Sequence, residues 1–401
     1  MNSEWEETET SFDMASLSFI SDLDQSKLKR VIISNALQNE DVKGLEQLGV
    51  SKFGFVNAQL RGKAWLSLLK SRVKGSSENK PLRQPHKDEY QVKLDVNRAL
   101  SFISDEKRKL KLRDLLYDTI VKVLRKFPQL HYYQGYHEVI SVFVLTCDPE
   151  ILDTVVELFT LLYLRDYMMD SLQCTLEQLD VLSQFIIGRD EQLANVLQLT
   201  KRKPIFAIAS VLTLLTHNFE YFEQDSPIFS IFDIIISTNN LSNIFVIYTE
   251  LLVYFKEEIL KQIKAFEADF ENDMDVIHSV VQQTLLKLLR ISAWDEILAQ
   301  SRLRFDEESP KKYNFTKYVN RYSSLLPLVN SDESELIDIL GKEIEWNESR
   351  KITKVSIKIS PIIKWSLVIG IIAAVVKVGS SHTNTMHGSS LIESLKKVLS
   401  T

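Results

Sequence analysis

The chain has 401 residues, an apolar fraction of 45%, 11 glycines, 9 prolines and a formal net charge of −6. So few turn-forming residues argue against a turn-rich β protein, and the acidic balance disfavours a nucleic-acid binder, which carries a basic stripe. Two cysteines, Cys147 and Cys174, form neither a CxxC pair nor a disulfide framework and suit a reducing compartment.

Residues 1–24 read as a disordered acidic arm without the basic start and apolar core of a signal peptide. From Ser26 the pattern becomes helical, with an amphipathic stripe of Leu28, Val31, Ile32 and Leu37. Asp41 to Leu48 and Asn57 to Leu69 continue as helices, and Lys70 to Lys87 reads as a long polar loop. One long helix is expected over Lys107 to Phe127, stopped by Pro128. Helices follow at Glu138 to Cys147, Ile151 to Leu164 and Leu172 to Ile187. Ile205 to Thr216 is almost wholly apolar and reads as a central core helix, being well short of the ~20 residues a bilayer span needs. Ile228 to Ile236, Ile244 to Ile263 and Val276 to Ile297 complete the series. Strand-period alternation never persists, so the class is all-α, with a helical domain over 25–305.

Charged and polar runs at Asp306 to Pro310 and Ser331 to Glu335 then mark a tether over 306–356. The apolar segment 357–378 follows, with a short tail over 379–401. Trp365 to Val376 carries no charge, and Lys364 and Lys377 flank it. Taken as a helix, Ile362 to Val378 would be roughly 25 Å long, at the short limit for a hydrocarbon core of about 30 Å. Flanking lysines can snorkel, Trp365 suits the interface, and Lys351, Lys354 and Lys358 on the upstream side fit a cytosolic N-terminal flank. The expectation is a single-span tail anchor, the competing reading being a docked core helix.

Several chemistries lack their residues. No GxxxxGK[ST] loop is present to cradle a nucleotide. His137-Glu138 opens like HExxH, but position 141 is Ser, and the seven histidines show no metal-ligand spacing. Two stretches do offer chemistry. Asp95 and Arg98 lie three residues apart in Val92 to Arg98, and Gln134 stands between tyrosines and Gly135 in Tyr132 to Tyr136. Arginine neutralises charge on a transferred phosphoryl and glutamine orients attacking water, the two services that GTP hydrolysis needs. A chain with both and no phosphate loop can lend them to a nucleotide held by a partner.

In order, Arg61-Gly62-xx-Trp65, Val92-xx-Asp95-xx-Arg98 and Tyr132-Tyr133-Gln134-Gly135 resemble the RxxxW, IxxDxxR and YxQG elements of the TBC-domain GTPase-activating proteins of Rab-type GTPases. With the apolar tail, the chain is similar to the membrane-anchored subgroup that acts between endoplasmic reticulum and Golgi. The resemblance covers about residues 50–300 plus the tail. It implies a TBC-type multi-helix fold and a two-finger mechanism. Arg98 would reach the nucleotide phosphates and Gln134 would position water, with Asp95, Tyr133, Gly135, Arg61 and Trp65 in support. It also implies no cofactor of the chain's own, since GTP and Mg would sit on the Rab-type partner. The expected location is the cytosolic face of an endoplasmic reticulum or Golgi membrane. The sequence departs from the family in places: Tyr136-His137 follow the Gln-Gly where Met then Asn or Ser is common, Phe232-Asp233 replaces a Trp-Asp pair, and Ala99 follows the candidate finger. The competing function is a catalytically silent TBC-like membrane scaffold.

Overall fold

The computed structural model describes residues 21–74, 84–219, 226–267, 274–288, 293–305, 312–328 and 331–351. The N-terminal half runs through α1 (Asp22–Gln38), α2 (Val42–Val50), α3 (Ala58–Arg72), α4 (Glu89–Val96), α5 (Glu106–Lys126), α6 (Tyr136–Val144), α7 (Pro149–Phe159) and α8 (Gln173–Arg189). The rest holds α9 (Glu191–Val196), α10 (Ile208–Leu212), α11 (Pro227–Thr238), α12 (Asn243–Tyr254), α13 (Lys256–Glu267), α14 (Met274–Leu288), α15 (Trp294–Arg302) and α16 (Glu333–Lys351). Among the described residues the only extended pairing is parallel, between β1 (Val73–Lys74) and β2 (Ser331–Asp332), with Val73 opposite Ser331.

Local chemistry accounts for many of the helix starts. Asp41, Asn57, Asp105 and Asp190 each accept the amide of the residue three positions on, at 2.9, 3.0, 3.0 and 2.9 Å. Pro149 and Pro227 stand at first helical positions, where the missing N–H costs nothing. The centre is aromatic. Trp65 of α3 meets Phe143 of α6 edge-on at 5.2 Å, Phe143 lies 4.7 Å from Phe159 of α7, and Phe159 stacks on Phe232 of α11 at 5.6 Å.

Five expectations need correction. The buried face of α1 is Lys29, Ile33 and Ala36, while Leu28, Val31 and Ile32 are 40, 57 and 43% exposed. A lysine occupies the inner face because its amine closes the end of α2, donating to Ser51 O, Ser51 Oγ and Lys52 O at 3.3, 2.8 and 2.5 Å. Burial pulls that amine's pKa down to about 7. Ile205 to Thr216 is not one helix. A 3₁₀ turn at Ile205–Ala207 leads into α10, and Leu214 and Leu215 then take positive φ of 49 and 69° before a second 3₁₀ turn at Thr216–Asn218. The chain folds back there because Leu212, Thr213 and His217 are used elsewhere, as shown below. The helices expected over Ile244 to Ile263 and Val276 to Ile297 are each broken, at Phe255 and at Ala293, which precedes α15 as its cap.

The fourth correction concerns the tether over 306–356. Its described part is packed structure. Leu325, Leu336 and Leu340 are buried, and α16 is bound through charge. Arg165 donates to Glu343 Oε2 at 2.8 Å, Leu161 O at 2.6 Å and Tyr322 O at 2.6 Å. Asp166 accepts from Ser323 Oγ at 2.5 Å, the Ser324 amide at 2.6 Å and Gln178 Nε2 at 2.8 Å. Burial, with the Asp166 charge beside it, pushes the Glu343 carboxyl upward. Polar residues elsewhere in the stretch, Ser323, Ser324 and Glu343, are buried against Arg165 and Asp166; of the runs that suggested a linker, Asp306 to Pro310 lies outside the described residues and Ser331 to Glu335 is mostly at the surface. Likewise α1 starts at Asp22, inside the stretch expected to be a disordered arm. Residues 1–20 of that arm and the whole candidate anchor, 357–378, lie outside the described residues, among which no helix is long and apolar enough to cross a membrane.

Removing one member of a buried ion pair strands the other. Arg165→Ala is expected to lower unfolding free energy by about 3–5 kcal/mol, read as a shifted urea midpoint. An unchanged midpoint would mean that α16 docks without this pair.

Candidate functional site

The site is built where α4 ends. The helical turn continues one step beyond Val96, with the amides of Arg98 and Ala99 donating to Asp95 O at 3.0 and 3.1 Å. Leu100 then adopts φ 56° and turns the chain away. Arg113 of α5 donates to Ala99 O at 2.9 Å and holds this corner. Asp95 points inward and is fully buried, while Arg98 points out, with 52% of its side chain exposed. The two form an ion pair through Arg98 Nη2 and Asp95 Oδ1. Asp95 also accepts from Tyr132 Oη at 3.0 Å and Gln91 Nε2 at 3.3 Å.

Tyr132 belongs to the second motif. The loop between Phe127 and α6 is held at every step. The His131 amide donates to Met168 O at 2.8 Å, the Tyr132 amide to Asp88 Oδ2 at 3.0 Å, and Tyr133 Oη to Leu212 O at 2.9 Å. The ring centroid of Tyr136 lies 6.3 Å from that of Tyr132 and 5.7 Å from that of Tyr133. Tyr136 Oη lies 2.7 Å from Thr160 Oγ1 in a π-helical turn over Thr160–Leu164. On this frame Gln134 is exposed. Gly135 follows at φ 114°, and a Cβ there would stand 2.7 Å from Thr213 Cγ2, so both the backbone and the neighbour require glycine. Thus the break after α10 serves the site: Leu212 and Thr213 pack against the loop, and His217 lies 3.2 Å from both Glu138 carboxylate oxygens.

Tyr132, two residues before Gln134, therefore bonds directly to Asp95, three residues before Arg98. Tyr133 and Gly135 belong to the same assembly. Arg61 and Trp65 do not; they belong to a second, buried constellation around Asp233 of α11. That carboxylate accepts from Arg61 Nε at 2.9 and 3.1 Å, Trp65 Nε1 at 2.8 Å and the Phe55 amide at 2.9 Å. Burial raises the Asp233 pKa, and these donors oppose the rise. The guanidinium of Arg61 also lies over the Phe229 ring at 5.1 Å.

Sequence reasoning missed Asp233, Asp88, His137 and His217 as members of these clusters. The Phe232-Asp233 dipeptide stood out in the sequence only as a departure, and its aspartate is the acceptor that RxxxW needs. His137 Nδ1 lies 2.9 Å from Tyr132 Oη, which no spacing along the chain announces. Burial lowers the His137 pKa. For Glu138, burial acts upward, but the bond and charge of His217 prevail and the pKa is lowered; the same bond raises His217.

Gly135→Ala is expected to cost about 1–3 kcal/mol from the positive φ alone, with a further steric cost against Thr213. Adding Thr213→Ser should recover the steric part and leave the rest, as read by thermal unfolding of both variants. Equal stability of Gly135→Ala and the parent would overturn the argument.

Comparison with known proteins agrees with this architecture. Residues 58–260 match the Rab-GTPase-TBC domain. GTPase-activating protein GYP8 of Saccharomyces cerevisiae is 36% identical over 357 residues, which cover 80% of this chain and 72% of that protein. Human TBC1 domain family member 20 is 28% identical over 270 residues, covering 65% and 64%. GTPase-activating protein gyp10 of Schizosaccharomyces pombe is 30% identical over 221 residues, covering 54% and 58%. The chain thus spans less than two thirds of the latter two relatives. On the domain match and the extent of the likeness to GYP8, the chain belongs to the Rab-GTPase-TBC domain family.

Proposed function

We propose that the chain is a GTPase-activating protein for a Rab-type GTPase, supplying Arg98 and Gln134 in trans. The observation that carries this reading is the Tyr132–Asp95 hydrogen bond. It joins the segments bearing an exposed arginine and an exposed glutamine while both side chains stay available to a partner. Arg98 enters the partner's nucleotide site and offsets charge on the transferred phosphoryl; Gln134 orients the attacking water. Preorganised donors of this kind act where charge develops. GTP and Mg belong to the partner. Asp95, Tyr133 and Gly135 hold the two fingers, and Arg61 and Trp65 hold the fold through Asp233.

The names of the relatives support activation over silent binding. A scaffold has no chemical use for both finger side chains, although binding alone would need only the surface. We further propose that residues 357–378 anchor the domain to the cytosolic face of an endoplasmic reticulum or Golgi membrane. The charge-free stretch with flanking lysines supports this, as does the membrane setting of Rab-type partners.

Purified domain screened against a panel of Rab proteins should accelerate GTP hydrolysis by at least one. Arg98→Ala should remove about 10³–10⁵ of the stimulation, and Gln134→Ala should also abolish it, both with unchanged circular dichroism. Stimulation persisting in both variants would sink the two-finger reading, while binding without acceleration would favour the scaffold. For the anchor, cell fractionation should find the full chain with membranes and the chain lacking residues 361–401 in the soluble fraction. Equal partition of the two would remove the anchor.

A further inference from the structure

The ion pair at the site is lopsided: its carboxylate is fully buried and its guanidinium half exposed. Extending Arg98 toward a phosphate therefore leaves the Asp95 charge inside the protein without a cation, an arrangement that proteins strongly disfavour. The remaining donors, Tyr132 Oη at 3.0 Å and Gln91 Nε2 at 3.3 Å, are neutral.

Counting protons at Tyr132 points to a replacement. The phenol has one proton, and its oxygen lies 3.0 Å from Asp95 Oδ2 and 2.9 Å from His137 Nδ1. An ionised carboxylate only accepts, so the phenol proton is directed at Asp95. His137 Nδ1 must then carry a proton and donate to the phenol oxygen, which leaves Nε2 to receive another. Nδ1 itself stands 3.9 Å from Asp95 Oδ2.

The charged and titratable groups facing the ring are Asp95 and Arg98 at the end of α4, Tyr132 from the loop, Glu138 on its own helix and His217 from the turn after α10. Burial is the main influence holding the ring neutral; Glu138 and Asp95 oppose it, and Arg98 and His217 reinforce it. Glu138 is the strongest of the charges favouring the imidazolium and His217 the weakest of those against it, and the pair they form stays in place when Arg98 moves. What can change at the site is the contribution of Asp95 and Arg98. When the guanidinium departs, a charge that disfavours the imidazolium is lost and a carboxylate that favours it is unmasked.

We propose that His137 is a positioning residue for Arg98, taking a proton from solvent onto Nε2 as the guanidinium swings out, so that an imidazolium acting through Tyr132 replaces it as the cation of Asp95. The proton returns to solvent when Arg98 folds back. The proposal rests on the activator reading of Arg98.

The first test needs no partner. In the full chain labelled at histidine, the His137 imidazole is followed by NMR against pH and assigned with His137→Asn. Arg98→Ala imitates the departed finger and should raise the His137 pKa. Adding Asp95→Asn, or Tyr132→Phe if that variant fails to fold, should cancel the rise. A His137 pKa indifferent to Arg98→Ala overturns the proposal. The second test measures stimulated hydrolysis from about pH 5.5 to 8. Relative to His137→Asn and His137→Gln, the parent should gain kcat/KM as pH falls, because extension of the finger takes up a proton; identical slopes overturn the proposal. Failure of every Rab to respond strikes the activator reading alone, and the NMR result still decides the charge exchange.

Discussion

A carboxylate taken out of water must be given donors or it cannot stay ionised, and the domain is organised around that constraint at Asp233. Three donors converge on it, from the segment entering α3 and from α3 itself, and Asp233 comes from α11. Directly beside it, Phe232 stacks into the aromatic centre with Phe159, Phe143 and Trp65. The polar contacts thus fix α3 against α11, and the aromatic packing beside them adds α6 and α7. The loop bearing Gln134 enters α6 directly, so its exit from the fold is set by that core.

Asp95 uses the same physics differently. At Asp233 the cation is buried with its carboxylate and has nowhere to go. At Asp95 the cation is on the outside and the remaining donors are neutral. One arrangement is enclosed on all sides; the other has its cation half in solvent. Around it, Tyr132 ties together two segments distant in sequence, and Met168, Asp88 and Leu212 each take one hydrogen bond from the loop. Gln134 projects from backbone that these bonds leave little freedom to rearrange.

Much of this was legible in sequence. Helices with clear apolar spacing and an aspartate or asparagine at the start stand close to where the spacing puts them, as α2, α3 and α5 do. The arginine and glutamine could be picked out as candidates because their chemistry is scarce and their motifs short, and the structure shows both exposed. What stayed hidden is polar residues used inside. Lys29 was passed over in favour of its apolar neighbours, and Glu343 fell within the expected tether, because composition cannot tell a surface charge from one that meets its partner across the fold. The stretch from Ile205 to Thr216 failed for the opposite reason. Apolar all round, it shows no periodicity to mark where the helix stops, and the stop is dictated by Tyr133, Gly135 and Glu138, remote in sequence.

The Asp233 constellation has a consequence for how these positions vary. Loss of any one donor leaves the carboxylate under-satisfied, so a second loss removes little that is still favourable. Paired changes at Arg61, Trp65 and Asp233 should therefore be strongly non-additive, the double substitution costing less than the sum of the singles. Under mutation these three residues behave as one inherited unit: a lineage can exchange them together for an apolar set, but each intermediate with a single change is the least stable point on the path.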